Sequence, residues 1–218
     1  MMNGKPIRRS SLSAWNALVN SMKIYPTGTV RGLLETDSVT TPTREVLKNR
    51  LRETDNYQPK FFEAEIFEIL RAVCLRLIPQ NSVDCAAFVD KSLSENKSSG
   101  WRYDELPNIA ETFKRGLDGI HETSNLKFGA DFQQLNEINQ DEILTEIQNG
   151  KSAGEIWKTL SAALFFEELL AKTVEVYYAH PLAQETIGYV GMADANGWTR
   201  IKLNDLEARE PRVSGEIN

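Results

Sequence analysis

Leu164-Phe165-Phe166-Glu167-Glu168-Leu169-Leu170-Ala171-Lys172-Thr173-Val174-Glu175-Val176-Tyr177-Tyr178 reads as one aromatic, amphipathic helix. It starts near Ser161 and breaks at Ala179-His180-Pro181. Beyond the break come Ile187-Gly188-Tyr189-Val190-Gly191-Met192 and then Asn196-Gly197-Trp198. Glycines favour turns over helix, so this stretch is expected to be a long irregular C-terminal tail. Its Tyr, Trp, Met and Gly are residue types of contact surfaces rather than of catalytic loops.

The helical period extends through the body of the chain, which begins at Phe61. Ile66, Leu70, Val73, Cys74 and Leu77 make one apolar stripe, and Pro79 ends that helix. Ser82 is the expected cap of the next helix, with Ala86, Val89 and Leu93 facing inward. A third starts near Pro107 and presents Ile109, Phe113, Leu117 and Ile120 on one face. Asn139 with Glu142, and Ser152 with Glu155, have the spacing of capping boxes, and Gly150 is placed to stop the helix between them. No alternation persists long enough for a sheet. The fold class is therefore all-α, a multi-helix bundle occupying residues 61–218 with its aromatic tail.

Residues 1–60 form a basic N-terminal arm with short helices expected over 13–22, from Thr29 through Leu34, and from Thr41-Pro42 through Leu51. Thr41 is the expected N-cap of the last, and residues 54–60 read as a linker. Residues 1–52 hold nine basic and three acidic side chains, net +6, within a chain of net charge −6. Two readings stay open: the arm lies on the acidic body, or it meets an acidic partner. The negative total disfavours nonspecific nucleic-acid binding. With 218 residues the chain can bury a core without metals or disulfides.

Cys74 and Cys85 are spaced neither for zinc nor for a redox pair and read as buried free thiols. No run approaches 18 apolar residues, so no membrane span is expected. Arg8-Arg9-Ser10-Ser11-Leu12 is superficially similar to a twin-arginine signal, but Trp15–Met22 is too short and too polar for its apolar region. A cytoplasmic location is expected, with a periplasmic one inside an exported complex as the alternative.

Candidate chemistry is sparse. His121 and His180 stand 59 residues apart at expected helix ends, with no acidic pair at ligand spacing. The adjacent acids Asp141-Glu142 and Glu167-Glu168 diverge on a helix and read as a solvated face. Gly116 and Gly119 lie in a helical pattern where another helix should pack closely. No Gly-x-Gly-x-x-Gly stands between a strand and a helix, so no dinucleotide is expected in this chain. No catalytic, cofactor or metal residue is assigned.

Three blocks resemble gluconate 2-dehydrogenase subunit 3, the small (gamma) subunit family. They are Phe62–Pro79 with Leu70-Arg71-Ala72-Val73-Cys74-Leu75-Arg76-Leu77-Ile78-Pro79; Phe113-Lys114-Arg115-Gly116-Leu117 with Lys127-Phe128 and Gln140-Asp141-Glu142-Ile143-Leu144; and Phe165–Leu170 through Tyr177-Tyr178-Ala179-His180-Pro181 to Ile187-Gly188-Tyr189. The likeness spans roughly residues 61–200. It implies an accessory subunit without a cofactor. FAD would sit in a large partner of the glucose–methanol–choline (GMC) type that oxidises sugars, sugar acids or glycosides, with a cytochrome c or another acceptor taking the electrons. The small subunit supports stability, maturation and often export of the large one. Many members open with a twin-arginine signal, whereas this sequence opens with a basic, weakly helical arm, so export by this subunit is not expected.

The tail is the expected partner-binding segment. Tyr189, Met192 and Trp198 would be anchors, Gly188, Gly191 and Gly197 would let the backbone follow a surface, and His180 borders the segment. The same tail could instead lie on the chain's own body. The alternative function is a stand-alone helical interaction or scaffold protein.

Overall fold

The computed structural model describes residues 25–213 apart from 53–55, 81, 97–102, 193, 195–196, 201 and 204. The short helix expected at 13–22 lies outside the described residues. Eight α-helices and two 3₁₀ turns are present, with no strand among the described residues. The helices are α1 (Thr29–Leu33), α2 (Thr41–Arg50), α3 (Ala64–Leu77), α4 (Cys85–Ser94), α5 (Ile109–Phe128), α6 (Glu137–Gln148), α7 (Ala162–Tyr178) and α8 (Pro181–Thr186). The 3₁₀ turns are Phe132–Gln134 and Ile156–Lys158. None of the helices is long and apolar enough to cross a membrane.

The segment from Leu164 to Tyr178 lies within α7, which Ser161 caps by accepting the Leu164 N–H. Packed against α7 are α3, α4, α5, α6 and α8. Phe165 and Leu169 on α7 are fully buried with Val73, Val89, Phe113, Leu117, Ile120, Ile143 and Ile147. Close approach to α5 needs its two glycines. A Cβ on Gly116 would lie 2.0 Å from the Phe165 ring, and one on Gly119 would lie 2.5 Å from Trp157. The inward stripe of α3 is rotated from the expected one: Phe67 and Ile69 are buried, whereas Ile66 and Leu77 are only partly so.

Helix starts differ from several expectations by one to three residues. Asp84, not Ser82, caps α4, because its carboxylate accepts the Ala87 N–H. Asn136, not Asn139, caps α6, accepting the N–H of Asn139 itself. Thr40 precedes α2, and Thr41 is its first helical residue. Ser152 and Glu155 open only the 3₁₀ turn. Glu122 on α5 takes the Glu155 and Ile156 N–H groups at 2.9 and 3.2 Å, the role expected of a capping side chain.

The expected linker is tied to the body at its end. Asp90 on α4 is fully buried and accepts the N–H groups of Lys60, Phe61 and Phe62 and the hydroxyl of Tyr57. A buried carboxylate needs such donors. A second, smaller core joins the arm to the end of the chain: Val30, Leu34, Val39 and Leu47 enclose Val190 and Met192.

Candidate partner interface

The region beyond α7 is not uniformly irregular. Pro181 opens α8 as well as ending the previous helical period, since its fixed φ and missing N–H suit a first helical position. His180 caps this helix. Its Nδ1 accepts the Leu182 N–H at 3.2 Å, which leaves the proton on Nε2 to donate to the Arg50 carbonyl at 3.0 Å. Burial holds the imidazole below its ordinary value, so the ring is neutral at pH 7. Phe88 meets it edge-on at 5.6 Å. His180 is therefore an internal fastener between arm and body, not a partner-facing group.

Glu185 on α8 clasps the arm. Its two oxygens accept the Gly28 and Arg31 N–H groups and both prongs of the Arg31 guanidinium, all at 2.9–3.0 Å. Burial alone would raise this carboxyl, but the Arg31 side chain and the two backbone donors outweigh it and hold it below its ordinary value. Arg50 adds a hydrogen bond to the Ala179 carbonyl, and Thr43 one to Asp194. The charge asymmetry of the sequence is thus spent partly within the chain: Arg31 meets the body, Lys48 pairs with Glu35 inside the arm, and Arg44 binds the arm carbonyls of Leu34, Thr36 and Val39.

Gly188 turns the chain off α8 with a left-handed φ of 65°, and the Tyr25 ring covers it so closely that a Cβ would lie 2.7 Å away. The backbone then alternates. Val190 and Met192 go into the small core, while Tyr189 stays 48% exposed, its hydroxyl donating to the Gly191 carbonyl. Met192, expected as a partner anchor, is taken up by the arm. Gly191 packs under the Tyr189 ring, whereas no atom lies near a Cβ built on Gly197. Trp198 is also 48% exposed, with the Arg209 guanidinium 4.4 Å over its ring. Ile187, Leu203 and Leu206 are further exposed apolar side chains along this stretch. Of the expected anchors, Tyr189 and Trp198 remain half-exposed, Tyr189 beside the turn that closes α8 and Trp198 under the Arg209 guanidinium.

Outside the tail, the two thiols are packed in the core as expected. Cys74 and Cys85 are free and buried beside a shallow cleft between α3 and α4, and burial pushes Cys85 up to about 12 and Cys74 higher still. Adjacent acids diverge as expected in one pair: Asp141 binds Arg76, and Glu142 binds Lys127. The other pair departs from the expectation of a solvated face. Glu168 is buried, its carboxyl raised by burial and secondarily by Glu167, while Glu167 accepts the Tyr103 hydroxyl. The fold also brings Glu65 and Asp131 to His121, an acidic pair that spacing in the sequence did not reveal.

The model of a protein family described as Gluconate 2-dehydrogenase subunit 3 matches residues 64–197. It thus runs from the start of α3 through α8 and into the tail, and it leaves out the arm. No curated protein and no solved structure matches the chain.

Proposed function

The chain belongs to the gluconate 2-dehydrogenase subunit 3 family, and on that premise we propose that it is the non-catalytic small subunit of an FAD-dependent sugar, sugar-acid or glycoside dehydrogenase. The catalytic partner is a GMC-type flavoprotein that holds the FAD and passes electrons to a cytochrome c or another acceptor. This subunit stabilises the flavoprotein and supports its maturation. One observation supports the reading beyond membership: Tyr189 and Trp198 are half-exposed, and Tyr189 directly follows the Gly188 turn that closes α8 under the Tyr25 ring. Large aromatics presented on a pre-ordered backbone lose little entropy on docking, which makes them effective anchors.

The test is co-purification of the tagged chain with the GMC-type flavoprotein of its own host, read by flavin absorbance and mass spectrometry. A flavin-coloured complex is expected. Tyr189→Ala with Trp198→Ala should leave the melting temperature of the free subunit within a few degrees. If each ring contributes about 2 kcal/mol and the effects add, affinity should fall by roughly a thousandfold. Full affinity in a folded double variant would remove the interface from the tail. Failure of any flavoprotein to co-purify would favour a stand-alone scaffold.

A further inference from the structure

We propose that Glu65, His121 and Asp131 form a binding site for one divalent transition-metal ion, with zinc the ion that fits the donor set. Glu65 lies in the first turn of α3, His121 in the second half of α5, and Asp131 in the connection that follows α5. One ligand atom from each lies within 4.8 Å of the other two. A residue of α3 thus meets two from α5 and the connection after it at a point that a single cation can bridge.

The local geometry is unsatisfactory without a further group. His121 Nδ1 is shielded from solvent and has no hydrogen-bond partner. Asp131 Oδ1 is 3.6 Å away, beyond the hydrogen-bond limit of about 3.2 Å. That separation suits coordination instead. Two donors bound at about 2 Å to a tetrahedral ion sit about 3.4 Å apart. Glu65 is exposed and has a long side chain, and its ligand oxygen lies within 4.8 Å of the other two donor atoms.

The surroundings hold the two inner ligands in position. Asn125 donates to the His121 carbonyl at 3.1 Å, and its carboxamide lies 3.3 Å from His121 Nε2 and 3.4 Å from Asp131 Oδ1. Gln134 donates to Asp131 Oδ2 at 3.3 Å, leaving Oδ1 turned toward the imidazole. One imidazole and two carboxylates suit zinc, manganese or iron(II) better than calcium or magnesium, which prefer oxygen donors alone. Three protein ligands leave a coordination position for water or for a group brought by another molecule.

The test uses the full chain stripped with a chelator and titrated with zinc alone, then with cobalt(II) as a spectroscopic probe. One ion per chain is expected, with cobalt d–d bands and a rise in melting temperature on loading. Glu65→Gln, at an exposed position, should keep the metal-free melting temperature and weaken zinc by at least tenfold. His121→Ala and Asp131→Asn should weaken it further. Absence of stoichiometric binding would overturn the proposal, as would equal affinity in wild type and Glu65→Gln. A thiolate-to-cobalt charge-transfer band would place the ion on Cys74 or Cys85 and overturn it too. The result is independent of whether a flavoprotein partner is found.

Discussion

Gly116 sets how closely α5 and α7 approach. The nearest atoms to a Cβ at this position belong to the buried Phe165 ring, itself edge-on to Phe113 at 6.3 Å. Such a ring cannot swing aside into solvent as a long surface side chain would. Gly116→Ala should therefore cost about 2–3 kcal/mol, a fall in melting temperature on the order of 5–10 °C by calorimetry. Gly32→Ala is the control: no atom lies within 4 Å of a Cβ there, and alanine favours the helix, so no loss is expected. A well-tolerated Gly116→Ala would mean that the two helices are not in close contact. That a helix needs these glycines was legible in the sequence as apolar pattern interrupted by Gly. Which rings fill the space was not, because Trp157 and Phe165 lie some forty residues away and nothing local links them to α5.

At the scale of elements, α8 depends on two titratable groups, and both make it acid-sensitive. Burial depresses the imidazole of His180 below its ordinary value of 6.5. Its contribution is complete above that value in the unfolded chain and is lost as pH falls, since the folded site must then accept a proton it disfavours. Glu185 is depressed below its ordinary 4.5 despite burial, because Arg31 and the backbone donors favour the carboxylate. Its contribution is present above 4.5 and is lost as pH falls through the lower folded value. The arm should accordingly loosen from α8 in two stages, first below about pH 6.5 and then below about pH 4.5. Amide exchange of residues 28–34 between pH 7 and pH 3.5, corrected for intrinsic rates, should show this. Glu185→Gln should remove the second stage and weaken protection at pH 7. Unchanged protection in that variant would mean that the clasp does not hold the arm. His180 was legible as a residue at a helix end, but its cap role was not. Pro181 signals equally the end of one helix and the start of another, and only the packing of α8 on α1 selects the second.

For the molecule as a whole, the arm completes a surface that the rest of the chain cannot cover. Val190 and Met192 have Val30, Leu34, Val39 and Leu47 as their apolar surroundings, and these come from α1, α2 and the connection between them. Removing residues 1–52 should leave the helices of the larger core formed, since none of the described residues 25–52 belongs to that core. It should also expose the two tail residues and increase binding of a hydrophobic dye. A lowered melting temperature with helical circular dichroism retained per residue is the expected pair of results. Unaltered dye binding would show that the tail finds cover elsewhere.

Helical class, the main body helices, the buried thiols and the absence of a dinucleotide fingerprint were determined by the sequence alone. They rest on periodicity and local residue chemistry, which act over a few residues and survive any arrangement of the helices. Tertiary structure alone decided the direction of the tail, the burial of Glu168 and the meeting of Glu65 and Asp131 at His121. Apart from the approach of Asp131 to His121, which are close in the chain, each depends on contacts between residues far apart in it. The tail shows the reason most plainly: Tyr189, Val190 and Met192 look alike as apolar residues among glycines. Val190 and Met192 go inward and Tyr189 stays out, and only the position of the arm decides which of them are covered.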